Sequence, residues 1–379
     1  MSHELDIYVH WPFCQSKCPY CDFNSYVAES IDHALWRHAL LTELEALAGE
    51  TPGRTVTSVF FGGGTPSLMP PKTAADVIDA IGRKWRTADD LEITLEGNPS
   101  TTEIGLFGEF RAAGVNRLSV GVQSFDDASL WFLGRRHSAA EARNAIVAAQ
   151  RHFPRTSFDM IYGLPAQTTE GWRRELTEAL ELAGEHLSLY QLTIEPGTPF
   201  HRDCVEAADD DTGSKLYELT HELTGAAGLP AYEVSNHAYL GAECRHNLNI
   251  WRGGDYAGVG PSAHGRLTTD GVTHAVYRIH DAGCWLEAVA ERGHGTAKRT
   301  LLAPEGRCQE LVMTGLRLAE GIDRGRFRRL AVCELLNAVD SGGLERMIDG
   351  GFVALDDDRL TATPAGRLRL NAVLGELLT

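Results

Sequence analysis

Long hydrophobic runs are missing from this 379-residue sequence. No charge-free apolar stretch approaches the roughly 18 residues that a membrane-spanning helix needs, and no apolar segment follows a basic one at the amino terminus. These absences argue against an integral membrane segment and against a secretory signal. We therefore expect a cytoplasmic protein.

Positive charge is also in short supply. The sequence has 35 Lys and Arg against 52 Asp and Glu, a formal net charge of −17. Non-specific nucleic-acid binding depends on clustered Lys and Arg, so we expect no nucleic-acid partner. Cysteines are few as well. Eight in a chain of this length do not form a disulfide scaffold.

Three of the cysteines nevertheless lie close together near the amino terminus. Cys14, Cys18 and Cys21 have the spacing Cys-x3-Cys-x2-Cys. Three thiolates can bind three corners of a [4Fe-4S] cluster, which four cysteines normally hold. The open iron can then be chelated by the amino and carboxylate groups of S-adenosylmethionine (SAM). The alternative is a structural zinc site, with His10 or Cys204 as a fourth ligand.

Short β-rich runs alternate with longer amphipathic stretches over the first 200 residues. The predicted strands are residues 5–11, 57–61, 91–96, 117–122, 156–162 and 186–194. The predicted helices are residues 31–48, 71–85, 101–113, 138–150 and 169–183. Such βα units in series imply a parallel sheet, either doubly wound or curled into a full or partial barrel.

Polar and glycine-rich motifs follow these strands, at the edge where parallel sheets bind ligands. The cysteine loop follows the first strand, residues 62–66 (Gly-Gly-Gly-Thr-Pro) the second, residues 96–99 the third and residues 123–125 the fourth. Asp159 falls within the fifth strand. Taken singly each such residue is more often structural, so their joint placement carries the prediction of a site.

The pattern changes after residue 200. An acidic turn at residues 209–211 and a helix near residues 214–227 precede a Gly-rich, aromatic segment at 232–265. The last part reads as helices, two short strands and a final helix, which predicts a small winged-helix-like domain. Its wing, Asp356-Asp-Asp358, would repel phosphates. We divide the chain into a core (1–200), a connecting segment (201–300) and a carboxyl-terminal domain (301–379).

The cysteine spacing resembles the radical-SAM superfamily. Further motifs are Tyr8, six residues before Cys14, the three glycines at 62–64, Glu96, Gln123, Arg135 and Asp159. Together they resemble the oxygen-independent coproporphyrinogen III oxidase group. This resemblance covers nearly the whole chain and implies an α/β fold, a partial (β/α)6 barrel with a smaller α+β domain. It also implies a [4Fe-4S] cluster on the three cysteines and a bound SAM, with Tyr20 and Gly64 as candidates for a second SAM. The implied SAM contacts are Tyr8, Gly63, Gly64, Thr65, Glu96, Gln123, Arg135 and Asp159.

Three features distinguish two subgroups of that group, the true oxidases and the HemW-type haem chaperones. The true oxidases resemble Cys-x3-Cys-x2-Cys-x-Cys, where this chain has Phe23, and carry an amino-terminal extension, where only a few residues precede the first strand here. Residues 245–251 (Arg-His-Asn-Leu-Asn-Ile-Trp) resemble the His-Asn-x-x-Tyr-Trp motif of HemW-type haem chaperones, with Ile250 replacing Tyr.

The resemblance to the chaperones implies that the chain binds haem and passes it to an acceptor protein, which the sequence does not identify. His246 is then the candidate iron ligand, and Trp251 the residue that packs on the macrocycle. One alternative is radical decarboxylation of coproporphyrinogen III. Another is a structural role, in which His246 and Asn247 hydrogen-bond a loop beneath the barrel mouth. The sequence does not decide how many SAM molecules bind, whether SAM is cleaved productively, or whether the chain forms a homodimer.

Overall fold

Six parallel strands begin the fold in the computed structural model, which describes residues 3–378. They are β1 (Glu4–Trp11), β2 (Thr55–Gly63), β3 (Arg86–Gly97), β4 (Arg117–Gln123), β5 (Arg155–Tyr162) and β6 (His186–Gln191). The helices among them are α1 (His33–Glu50), α2 (Pro71–Lys84), α3 (Thr101–Ile104), α4 (Phe107–Ala112), α5 (Asp127–Phe132), α6 (Ala139–His152) and α7 (Thr169–Leu182). All six predicted strands are present.

Alternation along the strands separates an apolar outer face from a polar inner face. In β1, Ile7, Val9 and Trp11 are fully buried in the main hydrophobic core, and Trp11 packs edge-on against Trp36 of α1 at 5.9 Å between centroids. Because successive side chains of a strand point to opposite faces, Tyr8 faces the barrel interior. The outer face stabilises the barrel, and the inner face is left for polar chemistry.

Residues 199–301 extend the same sheet at both edges. Their elements are α8 (Pro199–Arg202), α9 (Asp210–Ala226), β7 (Asn236–Ala238), α10 (Arg245–Trp251), β8 (Tyr256–Val259), β9 (His264–Thr269), β10 (Val272–Arg278), α11 (Ala282–Arg292) and β11 (Thr296–Leu301). β7 pairs antiparallel with β6, and β8 pairs parallel with β1. The resulting order is β11-β10-β9-β8-β1-β2-β3-β4-β5-β6-β7, an open and therefore partial barrel.

Two local predictions were wrong. The acidic run at 209–211 is the start of α9, because the Asp209 side chain accepts from the Thr212 N–H and acidic residues favour a helix amino terminus. The helix predicted at 101–113 is divided into α3 and α4 around Gly105, a residue that weakens helices. The Gly-rich, aromatic composition of residues 232–265 predicts no particular helix or strand, but the segment contains β7, α10 and β8.

The carboxyl-terminal part has its own hydrophobic core, from Cys308 to Leu377. Its elements are α12 (Pro304–Gly315), β12 (Ile322–Asp323), α13 (Arg324–Ala331), α14 (Ser341–Asp349), β13 (Val353–Leu355), β14 (Arg359–Ala362), α15 (Pro364–Leu368) and α16 (Leu370–Leu377). The strands form an antiparallel sheet, β12-β14-β13, with the acidic wing joining β13 to β14. This arrangement is the predicted winged-helix-like domain. Across residues 3–378, no helix combines the length and apolar character needed to span a membrane.

Candidate functional site

A cavity of about 510 Å³ opens at the carboxyl-terminal ends of the parallel strands. It is lined by the loop after β1, the glycine loop after β2, and residues at the ends of β3 to β6 and after α5. The predicted site residues that it brings together are Cys14, Cys18, Tyr20, Cys21, Gly63, Gly64, Thr65, Glu96, Gln123, Arg135 and Asp159. Strand ends that are distant in sequence thus form one site, as the parallel arrangement requires.

The three cysteines lie on a compact loop whose backbone is bonded locally. The Cys14 N–H donates to Tyr26 O at 2.9 Å, and the Cys21 N–H donates to Cys18 O at 3.2 Å. Burial raises the pKa of the Cys14 thiol, and raises that of Cys21 to about 11. Since the thiolate is the form that binds iron, cluster binding at these thiols would release protons.

Two hydrogen-bond donors point at the sulfurs. The Thr65 hydroxyl donates to Cys14 Sγ at 3.4 Å, and Arg135 Nη1 donates to Cys18 Sγ at 3.4 Å. Asn98 joins the two donors, because it accepts from Arg135 Nη2 at 2.6 Å and donates to Thr65 Oγ1 at 3.1 Å. Hydrogen bonds to ligand sulfurs are a feature of iron–sulfur sites, and this donor set fits a [4Fe-4S] cluster.

The zinc alternative finds no support in the geometry. Among the residues that the structure describes, no three His, Cys, Asp or Glu side chains converge where one metal ion could be held. Both ring nitrogens of His10 are already within hydrogen-bond distance of Tyr8 OH (3.2 Å) and Asn24 O (3.0 Å). The other proposed ligand, Cys204, is exposed and lines a different surface pocket.

The glycine loop lies tightly against the end of β1. Gly63 has a φ of +110°, and a Cβ there would lie 2.6 Å from the His10 ring. A Cβ on Gly64 would lie 2.7 Å from Phe13 O. Only glycine fits at these positions, and its small size leaves backbone at the cavity wall for a ligand to approach.

Two carboxyl groups face the cavity from different strands. Burial and the nearby charge of Asp159 raise the pKa of Glu96 to about 8, although the Gly63 N–H donates to Glu96. Burial raises the pKa of Asp159 to about 6, with Ser119 Oγ donating at 3.3 Å. A cationic ligand would favour the ionised forms of both groups. The sulfonium of SAM has that charge.

Gln123 and Arg135 also line the cavity. Gln123 ends β4 with a left-handed φ of +71°, a strained conformation that is typical of ligand sites in non-glycine residues. The Arg135 guanidinium donates to Gly121 O at 2.8 Å, but its buried Nε has no partner among residues 3–378.

The other three predicted residues lie outside this cavity. Tyr8 is one layer deeper, where its ring stacks towards His246 at 6.1 Å between centroids. His246 and Trp251 belong to α10, but they face different neighbours. The His246 ring is stacked on Phe60 inside the barrel at 5.1 Å, whereas Trp251 lies under the Arg317 guanidinium at 4.4 Å, beside the carboxyl-terminal domain.

α10 covers the amino-terminal end of the barrel. His246 is 4% exposed, with its Nδ1 at 3.3 Å from Ser58 Oγ and 3.5 Å from an Asp6 carboxylate oxygen. In the structural alternative, His246 and Asn247 hydrogen-bond a loop beneath the barrel mouth; the side-chain partners of His246 instead lie on strands β1 and β2. The predicted haem contacts remain predictions.

Sequence reasoning missed several residues that line the cavity. Asn98 stands in the predicted 96–99 motif, and its amide role became visible only with its partners Arg135 and Thr65 in place. The carboxyl-terminal end of β6 contributes Tyr190, Leu192 and Glu195. The rule that ligands bind after strand ends applies to the sixth strand as well and would have found them.

Comparison with known proteins agrees with this geometry. Residues 8–179 match the Radical SAM superfamily, and residues 302–369 match the HemN C-terminal domain. The solved structure of coproporphyrinogen III oxidase (HemN) from Escherichia coli, described as a radical SAM enzyme, has a TM-score of 0.84 over 99% of this chain and 90% of that chain. At 22% identity this likeness shows the fold alone, and it confirms the predicted partial barrel with a carboxyl-terminal domain.

Sequence relatives are more informative. The heme chaperone HemW of Escherichia coli strain K12 is 38% identical over 98% of this chain and 97% of its own length. The mitochondrial radical S-adenosyl methionine domain-containing protein 1 of Bos taurus is 38% identical over 100% of this chain and 88% of its own length. The superfamily match implies the predicted [4Fe-4S] cluster and SAM. With similarity extending over nearly every residue, the chain belongs to the HemW-type family of radical-SAM proteins.

Proposed function

We propose that this chain is a haem chaperone, which holds a [4Fe-4S] cluster and SAM at the barrel mouth, binds haem and transfers it to an acceptor protein. The observation that carries the proposal is the 38% identity to a heme chaperone over 98% of this chain. The proposal includes a cytoplasmic setting, which the eight free cysteines favour, because reducing compartments keep thiols unpaired.

The barrel mouth supplies the cofactor site of this proposal. Cys14, Cys18 and Cys21 would hold three irons of the cluster, and Thr65 and Arg135 would donate to two of the ligand sulfurs. When bound, a radical-SAM cluster supplies one electron to the sulfonium of SAM. Glu96 would accept from the SAM amino group, and the Arg135 guanidinium would bind the SAM carboxylate.

Phe23 stands where the oxidase pattern has a fourth cysteine. Its side chain is 60% exposed at the rim of the cavity. A phenyl ring supplies no thiolate, so the chemistry that the oxidases draw from this position is absent. Phe23 therefore supports the chaperone over the oxidase.

The haem contacts that we propose are His246 and Trp251. Because His246 is almost fully buried against β1 and β2, iron coordination by His246 requires α10 to leave its place at the barrel floor. Trp251 is partly exposed and needs no such displacement to reach a ligand. The proposal thus predicts two kinds of haem contact, one of which depends on a conformational change.

The test is anaerobic reconstitution with iron and sulfide, followed by haem titration and a coproporphyrinogen III turnover assay on the same preparation. We expect saturable haem binding without formation of protoporphyrinogen. Turnover without stable haem binding would reject the chaperone in favour of the oxidase.

Variants then locate the haem. His246→Ala should weaken haem binding and change the haem absorption spectrum while the cluster spectrum is retained. His201→Ala is the control, since His201 is an exposed histidine of α8. An unchanged haem spectrum in His246→Ala would remove His246 from the site, and the same comparison with Trp251→Ala tests the second contact.

A further inference from the structure

Two cysteines far from the barrel mouth are in direct contact. Cys308 Sγ lies 3.0 Å from Cys333 Sγ, and both are free thiols. Cys308 is buried in α12 as part of the carboxyl-terminal core, and Cys333 is partly buried just after α13. A disulfide bond has its sulfurs about 2 Å apart, so a displacement of about 1 Å would bring these thiols to bonding distance.

The backbone around Cys333 is held in an unusual conformation. Val332, which ends α13, has a φ of +56° and a side chain that is 82% exposed. A β-branched residue rarely adopts this conformation, and an exposed valine has little packing to hold it there. The turn at Val332 carries the chain back from α13 so that Cys333 meets α12.

We propose that Cys308 and Cys333 form a reversible disulfide by exchange with a low-molecular-weight disulfide such as oxidised glutathione. The partly exposed Cys333 attacks first and releases one glutathione thiol, leaving a mixed disulfide. Cys308 then attacks the Cys333 sulfur and releases the second glutathione thiol. Two protein thiols are oxidised, one small disulfide is reduced, and the two protons end on the glutathione thiols.

The bond would fix the position of α13 against α12 beside Trp251. Arg307 Nη2 donates to Gly253 O at 2.5 Å, which anchors α12 to the turn after α10. Trp251 lines a small cavity together with Leu311 of α12 and Phe327 of α13. Oxidation would therefore make the surroundings of Trp251 more rigid and the carboxyl-terminal domain harder to unfold.

The experiment treats the reconstituted protein with oxidised glutathione under anaerobic conditions, then alkylates free thiols and maps the peptides. We expect a peptide cross-linked between Cys308 and Cys333, an unchanged cluster absorption, and a rise of about 5 °C in the melting temperature that dithiothreitol reverses. Glutathione adducts on Cys333 without a cross-link, or both thiols recovered alkylated, would overturn the proposal.

Variants separate the cross-link from general effects of the oxidant. Cys333→Ser and Cys333→Ala should form no cross-link and show no rise in melting temperature, while their reduced forms melt near the reduced parent protein. Cys284→Ser, which changes an exposed cysteine on α11, should keep the full response. Loss of the response in Cys284→Ser, or its persistence in Cys333→Ser, would assign the effect to other thiols.

Discussion

Two glutamates on one strand show how the two ends of the barrel differ. We call the amino-terminal end, which α10 covers, the closed end, and the end that carries the cavity the open end. Glu92 and Glu96 are four residues apart on β3, so both point into the barrel. At the closed end, Glu92 pairs with Arg155 and accepts from the Arg245 N–H at 2.9 Å. At the open end, Glu96 faces the cavity, where burial and the charge of Asp159 raise its pKa to about 8.

The difference teaches where this fold has room for ligands. At the closed end, the buried Glu92 is paired with Arg155 of another strand, and α10 covers the opening. At the open end, two carboxyl groups and three thiols line a cavity and are left for partners that the chain does not supply. The largest effects on cofactors should follow changes at the open end, and the largest effects on stability should follow changes at the closed end.

The strongest test at the open end is the loss of one thiol. Cys21→Ala should abolish the visible absorption of the reconstituted cluster entirely, because two cysteines hold a cubane too weakly. Cys284→Ala, in the exposed cysteine of α11, should retain it. Full absorption in Cys21→Ala would mean that another residue supplies the ligand.

At the closed end, the corresponding test removes the partner of a buried charge. Arg155→Ala should lower the free energy of unfolding by about 3–5 kcal/mol, because it removes the ion-pair partner of the 2%-exposed Glu92. Urea unfolding measures the change. The matched control is Arg143→Ala, which breaks a pair with the 39%-exposed Glu178 and should cost about 0–1 kcal/mol. Equal costs would show that the closed end has no special role in stability.

A pH experiment compares the two glutamates directly. The folded-state pKa of Glu96 lies above its ordinary value of 4.5. Glu96 therefore does not lower the free energy of unfolding below about pH 4.5, but lowers it progressively as the pH rises towards about 8. In protein without SAM, Glu96→Gln should raise the free energy of unfolding by about 4 kcal/mol at pH 8 and by less than about 1 kcal/mol at pH 5. Glu92→Gln should instead destabilise at pH 8. Urea unfolding at both pH values measures these changes. If both variants changed the free energy of unfolding in the same direction at pH 8, the predicted contrast between the two glutamates would be refuted.

The smallest predicted effect concerns the hydrogen bond from Thr65 to Cys14. Thr65→Val keeps the size of the side chain and removes a donor that stabilises the more negative, reduced cluster. The loss of about 1 kcal/mol should lower the reduction potential by about 40 mV in a redox titration followed by electron paramagnetic resonance. Thr65→Ser should restore the potential. An unchanged potential in Thr65→Val would show that this hydroxyl does not bond the ligand sulfur in the loaded protein.

Much of the cofactor site could be predicted from local sequence. The cysteine loop, the glycine loop and Gln123 each follow or end a strand, and the chain order of strands in a parallel fold brings such positions to one edge. The amide of Asn98 could not be assigned a role in this way, because its partners Arg135 and Thr65 come from two other βα units. The break at Gly105 was missed because the predicted helix ignored the weak helix propensity of glycine.

The closed end escaped prediction for a different reason. β8 pairs with β1, and His246 of α10 lies against Ser58 and Asp6, which are 188 and 240 positions earlier in the chain. No periodicity within residues 232–265 reports such pairing, because contacts between distant segments depend on the closure of the whole sheet. The setting of His246 therefore became visible only in three dimensions.

By itself, the sequence determined the chemistry available to this protein: three closely spaced thiols, flexible glycine turns and polar groups at strand ends. Those features are local, since they depend on residue type and on spacing within one βα unit. The tertiary structure decided which of these groups stay unpaired. Glu92 and Glu96 are the same residue on the same face of one strand, and only the surrounding chain neutralises the first and leaves the second facing a cavity.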